Sequence, residues 1–174
     1  YLKDDLLSNY YHRRLNAYSG FDDNLCISAF SQSELQSFLP GAKAGSIAAG
    51  VSRNVSENAK CVSGDHFDLG AFVLYVGALD WRKNIGALVR AFGYIDQVWP
   101  GNSLRLVIAG DAPTLFLNEI VEAWKRLELD ADRLICLGHV SDVQLVSLYK
   151  QARVLVQPSF MEGFGLTALE AIYC

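Results

Sequence analysis

Two glutamates, Glu162 and Glu170, bracket a glycine-bearing turn near the end of this chain of 174 residues. Between them stand Gly163, Phe164, Gly165, Leu166 and Thr167. The pattern predicts a helix that opens at this turn and runs on through Ala168, Leu169, Glu170 and Ala171. The first turn of a helix has N–H groups without intrahelical partners and a partial positive charge, so phosphate binds there readily. A helical rise of ~1.5 Å per residue sets the two carboxylates about 10 Å apart. That is too far to share a proton. It suits two acceptors that grip different hydroxyl-bearing parts of one extended ligand, with phosphates on the amides between. A glutamate inside a helix is ordinarily solvated, but Leu169, Ala171 and Ile172 around Glu170 are apolar and weaken that reading. Two cations, Arg82 and Lys83, fall at the expected start of another helix. Cations there oppose the helix dipole, so an anion is expected nearby. A diphosphate would suit both the fork of Arg and the point charge of Lys.

These groups need a frame that brings them to one edge. Residues 71–76, 104–109, 134–137 and 153–157 are short, nearly continuous apolar runs, as expected of strands buried on both faces of a parallel sheet. Helical stripes lie between them. Ile85, Leu88, Val89, Phe92 and Ile95 form one, and Leu117, Ile120, Val121, Trp124 and Leu127 the next. Ser141 with Gln144 reads as a capping box that opens a third helix. The alternation predicts an α/β fold, a Rossmann-like parallel sheet with flanking helices. In such sheets ligands bind beyond the carboxyl ends of the strands. There the sequence sets Gly77 and Ala78, then Gly110, then Gly138, His139 and Val140, and last the loop from Pro158 to Gly165.

The first third of the chain is less regular. Residues 2–18 show a rough helical period through Leu7, Tyr10, Tyr11, Leu15 and Tyr18. Residues 25–30 read as a short buried strand, and residues 46–51 as another. Ser31 with Glu34 reads as a capping box for a helix that stops near Pro40 and Gly41. Residues 52–69 are polar and without period, the mark of a linker. The expected organisation is therefore the tail of one domain over 1–51, a linker over 52–69, and a domain over 70–174 that is incomplete at its C-terminus.

Apolar residues make up 51% and charged residues 20% of the chain, which excludes a disordered, collagen-like or coiled-coil protein. Fifteen basic residues against 19 acidic ones leave a net charge of −4, so nucleic acid is not an expected partner. Cys26, Cys61, Cys136 and Cys174 have no zinc-ligand spacing. Cys26 and Cys136 lie in apolar runs and are expected to be buried thiols in a protein of a reducing compartment. The longest apolar stretch, residues 70–79, is far short of the ~20 residues a spanning helix needs, and no signal peptide opens the chain. The sequence starts at Tyr1 rather than Met and stops at Cys174 inside a helical pattern, so a piece of a longer protein is expected.

The Glu162-to-Glu170 segment resembles the E-x7-E motif of retaining GT-B glycosyltransferases of family GT4. Tyr75, Val76 and Gly77 leading to Arg82, Lys83 and Asn84 resemble that family's phosphate-contacting loop. Residues 107–110 and 137–142 stand in its order and spacing. The resemblance covers residues 25–174, most strongly 71–174. It implies an acceptor domain ending near residue 50 and a donor domain after it. It implies transfer of a sugar from a nucleotide-sugar donor to a glycan or lipid-linked acceptor with retention, in the cytoplasm or at the inner face of the membrane, with peripheral membrane contact in the longer protein. No cofactor and no essential metal are implied. Glu162 would hold sugar hydroxyls and Glu170 the ribose. The amides of Gly163, Phe164, Gly165 and Leu166, with Thr167 beside them, would hold the diphosphate together with Lys83 and Arg82. Gly77 and Gly110 would line the donor site, and the backbone of His139 and Val140 would flank the base. Many family members carry Arg where Ala78 stands, so either Arg82 and Lys83 carry the diphosphate charge or binding is weaker. The base is read largely through backbone and stays open between guanine and uracil; residues 74–84 favour a GDP-mannose-type donor in polysaccharide assembly. The other reading is a non-catalytic nucleotide-sugar-binding module of the same fold. A dinucleotide dehydrogenase is disfavoured, because Gly77 lacks the G-x-G-x-x-G spacing.

Overall fold

The apolar runs beyond residue 70 become parallel strands with helices on both faces. The computed structural model describes residues 5–60 and 67–174. Leu2, the side chain of Leu7, Cys61 and the middle of the expected linker lie outside the described residues. The chain divides into two units, the first ending at Gly50 and the second starting at Val51.

In the first unit, α1 (Asp5–Ala17) leads through a 3-10 turn (Tyr18–Gly20) to β1 (Asn24–Cys26), α2 (Ala29–Phe38) and β2 (Ala44–Ser46). β1 and β2 pair in parallel, Asn24 opposite Ala44 and Cys26 opposite Ser46, so the unit contains one βαβ turn. β1 is buried on one face only: Asn24 and Cys26 point inward and Leu25 outward. The capping box expected at Ser31 does not form. Ser28 caps α2 instead, accepting from the Ser31 N–H at 3.0 Å. Both serines can cap, and starting at the earlier one adds hydrogen-bonded residues to a short helix. The second strand covers residues 44–46 rather than 46–51, because its pairing is set by β1 and by Gln32 Nε2 donating to the Ala44 carbonyl.

The second unit opens with α3 (Arg53–Lys60), inside the stretch expected to be a linker. Val55 is buried, and α3 packs against the two helices that close the unit, α6 (Asp142–Gln151) and α7 (Leu166–Tyr173). Asn54 donates to Asp142 and Lys150 to the Ala59 carbonyl. One buried valine and tertiary hydrogen bonds hold a helix that sequence periodicity does not announce.

The sheet contains β3 (Phe72–Val76), β4 (Arg105–Ala109), β5 (Leu134–Gly138) and β6 (Val154–Leu155), all parallel, in the order β5-β4-β3-β6. Val73, Tyr75, Leu106 and Ile108 face α4 (Ile85–Val98) and α5 (Thr114–Arg126), where Leu88, Val89, Phe92, Ile120 and Trp124 complete one core. Phe72, Leu74, Val107 and Ala109 face the other side, against Leu148 and Tyr149 of α6 and Ala171 of α7. Of the expected stripe of α4, Ile85, Leu88, Val89 and Phe92 are buried and Ile95 is half-buried, and Ser141 and Gln144 form their capping box on α6. Cys26 is buried, but Cys136 is exposed. Among the described residues β5 has a neighbour strand on one side only, and Cys136 points to the face where, of this strand, Leu134 packs. Among the described residues no helix is long and apolar enough to cross a membrane.

The order places β3 beside both β4 and β6. The chain leaves β3 for α4 on one face and leaves β6 for α7 on the other. Loops that part to opposite faces open a crevice at the carboxyl ends of the strands, the usual ligand position in open α/β sheets.

Candidate active site

The rim of the sheet is a row of glycines. Gly77, Gly110 and Gly138 follow β3 and β4 and end β5, and they stand side by side: Gly77 N donates to Ala109 O at 2.9 Å and Gly110 N to Gly138 O at 2.8 Å. A Cβ on Gly110 would overlap the Gly77 carbonyl, and its φ of +140° already disfavours any side chain. Beneath this rim Tyr75 is buried and donates its hydroxyl to Ala78 O at 3.0 Å. Burial, reinforced by Asp80 and Glu162, pushes its phenol well above the ordinary range.

Two loops meet across the crevice. A 3-10 turn, Trp81–Lys83, follows β3 and is capped by Asp80, which accepts from Arg82 N at 2.8 Å. The Asp80 carboxylate also takes the Arg82 guanidinium in bidentate fashion, at 3.1 and 2.8 Å. Those bonds hold Asp80 below its ordinary pKa. From the opposite loop, Glu162 accepts from Lys83 Nζ at 2.7 Å and from Ser159 Oγ at 2.6 Å, both on Oε1. Burial works against its charge, but the bonds from Lys83, Ser159 and Gln157 outweigh it and hold the carboxyl low. The loops are stitched on either side of Lys83: Phe160 N donates to Arg82 O at 2.9 Å, and Asn84 Nδ2 to Pro158 O at 3.0 Å. Asn84 does this from the left-handed region, at φ 53°.

The anions expected near Arg82 and Lys83 are therefore present in the protein itself. Two cations face two carboxylates, Arg82 with Asp80 and Lys83 with Glu162. The start of α7 adds the amide ends. Gly165 turns into α7 at φ 81°, a conformation that favours glycine. Thr167 Oγ1 accepts from Gln157 Nε2 at 2.9 Å, anchoring that first turn to the end of β6. Gly163, Phe164 and Leu166 are exposed on this loop.

Not every expected residue joins the cluster. Glu170 is half-buried farther along α7, and the hydrogen bond it receives is from Tyr149 Oη of α6, at 3.0 Å on Oε2. His139 is exposed after β5, its Nδ1 4.0 Å from Asp111 Oδ2 across the neighbouring loop. Val140 turns its side chain toward the core instead. Sequence reasoning gave no role to Ser159, Gln157 or Tyr149, and placed Asn84 in the loop after β3 without a role of its own. Asn84 and Ser159 carried a weak signal, as polar residues inside the two loops. Tyr149 carried none, because a tyrosine on the apolar face of a helix reads as core. Among the described residues no three His, Cys, Asp or Glu side chains gather into a metal-ligand group.

This frame has known relatives. The family described as glycosyl transferases group 1 matches residues 64–174. The chain belongs to that family. The serotype-specific mannosyltransferase WbdA of Escherichia coli is 33% identical over 107 residues, which are 59% of this chain and 12% of that protein. The mannosylfructose-phosphate synthase of Agrobacterium fabrum is 33% identical over 107 residues, 59% of this chain and 23% of that protein. The chain thus spans only 12% and 23% of these two curated relatives. Among solved structures, HepE of Anabaena in complex with UDP and glucose superposes with a TM-score of 0.72 at 18% identity, covering 98% of this chain and 49% of that one. Sucrose-phosphate synthase from Thermosynechococcus elongatus gives a TM-score of 0.72 at 22% identity, covering 98% of this chain and 44% of that one. These likenesses show the fold, the α/β Rossmann-like arrangement expected from the sequence.

Proposed function

We propose that the chain supplies the donor-binding part of a glycosyltransferase that moves a sugar from a nucleotide-sugar donor to a glycan or lipid-linked acceptor, with retention of configuration. The observation that carries this reading is the Lys83–Glu162 contact of 2.7 Å in the crevice between β3 and β6. A carboxylate beside a cation suits a ligand that combines hydroxyls with phosphate. Glu162 accepts from sugar hydroxyls, and Lys83 turns from Glu162 toward the diphosphate. Arg82 and the amides from Gly163 to Leu166 complete the anion site, and Gly77 and Gly110 let the ligand approach backbone. Glu170 takes the ribose, and the backbone of His139 and Val140 flanks the base. Catalysis is then stabilisation of charge that grows on the departing diphosphate, by backbone amides fixed beforehand and by Lys83 once it has turned from Glu162. No cofactor and no essential metal belong to this scheme.

GDP-mannose is the donor proposed, supported by relatives named as a mannosyltransferase and a mannosylfructose-phosphate synthase. The HepE structure with UDP and glucose makes UDP-sugars the competing class. A lipid-linked acceptor would bring the longer protein to the cytoplasmic face of a membrane by peripheral contact. Residues 1–51 are proposed to end an acceptor domain and residues 70–174, with α3 docked on α6 and α7, to form the donor-binding part, and the chain on its own should not turn over.

One observation favours a second reading, a binding module without catalysis: both cations already have carboxylate partners, and Ala78 adds no further charge. Transfer by the full-length protein separates the two. Lys83→Ala should lower kcat by about a hundredfold, the cost of removing a group that stabilises developing charge, and Glu170→Ala, which removes a ribose contact, should lower kcat/KM for the donor by about tenfold. Transfer that survives both changes undiminished overturns the enzyme reading.

A further inference from the structure

We propose that Tyr149 is a positioning residue for Glu170: it fixes one carboxylate oxygen so that the other is presented to a ligand hydroxyl. The inference rests on the donor-binding reading above and deepens it at the nucleoside end. Tyr149 lies on α6 and is 7% exposed, its ring packed in the core with Phe72, Leu74, Val107 and Leu148. That core requires only the ring. The hydroxyl must still find a partner once buried, and the partner is Glu170 Oε2, 3.0 Å away on α7.

The pairing is chemically one-directional. Burial first, and the Glu170 charge second, push the Tyr149 phenol far above its ordinary value, so it stays protonated and donates. A hydrogen bond to an ionised acceptor is shorter and stronger than one between neutral groups. A glutamate side chain has three rotatable bonds, and freezing them on ligand binding costs free energy. With Oε2 tethered to a core residue, that cost is met on folding. Glu170 also lies on the helix whose first turn faces the Glu162 loop. A fixed Oε1 can then distinguish a ribose hydroxyl from hydrogen at that carbon.

A tie between helices that served stability alone would not affect which sugar the nucleotide carries. The test therefore reads sugar discrimination. Full-length wild type, Tyr149→Phe, Glu170→Gln and Glu170→Asp are titrated calorimetrically with GDP and UDP and with their 2′-deoxy and 3′-deoxy forms. Wild type should favour the ribose form of whichever nucleotide it binds. Tyr149→Phe should reduce that preference about fivefold, the scale of one net hydrogen bond, and leave deoxy affinity within about twofold. Glu170→Asp keeps the charge but withdraws the carboxylate from Tyr149, and should lose the preference too. Tyr149→Phe combined with Glu170→Gln should discriminate no less than Glu170→Gln alone. If Tyr149→Phe keeps the wild-type preference while Glu170→Gln abolishes it, the positioning role is overturned and the donor reading stands. If wild type binds neither nucleotide, or binds ribose and deoxyribose forms equally, the assignment of Glu170 falls and that of Tyr149 with it.

Discussion

Lys83 and Glu162 are 79 positions apart in the chain, yet their side chains meet at 2.7 Å. The sheet order makes this possible. β3 and β6 are neighbours, so the loop after the first strand of the unit lies against the loop after the last. Glu162 is held low by its bonds to Lys83, Ser159 and Gln157.

That depression gives a pH signature. A carboxyl whose folded pKa lies below its unfolded value contributes stability above the unfolded value, about 4.3 for Glu. The contribution fades as pH falls through the lower, folded value. Glu162→Gln should therefore melt below wild type at pH 7, and the gap should close on acidification below about pH 4. Thermal melts across that range check it. A gap that stays constant means the ion pair contributes nothing to the folded state.

Asn84 should matter beyond its place in a turn. Asn84→Gly keeps the left-handed backbone and loses the bond to Pro158 O. We expect a stability loss of about 1 kcal/mol, the usual net value of one hydrogen bond, partly from added chain freedom. The bond flanks Lys83, so kcat should fall as well, by about tenfold if the stitch positions the ammonium. Denaturant titration and steady-state kinetics separate the two effects, and an unchanged kcat assigns Asn84 to stability alone.

Gly110 and Gly101 make a matched pair for the rim. Both have positive φ, but a Cβ at Gly101 meets open space, while one at Gly110 overlaps the Gly77 carbonyl. Gly101→Ala should cost about 1 kcal/mol, the lower end of backbone strain, and Gly110→Ala at least about 3 kcal/mol. Urea midpoints measure both. Equal costs would mean that the close approach of the two loops is not a constraint.

Much of this was legible beforehand because it depends on local chemistry. Four apolar runs, the Ser141 cap and the glycines after the strands need no knowledge of long-range pairing. The Glu162 turn and the α7 start read the same way. What escaped depends on contacts across the chain. α3 looks polar because only Val55 reaches the core. Cys136 looks buried until its strand proves to be an edge. The Ser28 cap competes with an equally good signal three residues on. Asp80 and Glu162 supply the counter-charge that the sequence suggested a ligand must bring, and the Tyr149–Glu170 bond joins two helices that neither helix announces.

Chelation tests the charge assignment. The diphosphate is given to Lys83, Arg82 and helix amides, so transfer by the full-length protein should persist in excess EDTA. Loss of activity that returns with added magnesium would place a metal in that role instead.

The central claim is that Lys83 and the first turn of α7 form a nucleotide-sugar diphosphate site. Calorimetric titration of the full-length protein with GDP-, UDP- and ADP-sugars tests it most directly. One donor class should bind, and Lys83→Ala should weaken that binding at least about tenfold, as expected for a charge-assisted contact. Binding of no donor, or binding indifferent to Lys83→Ala, would contradict the account.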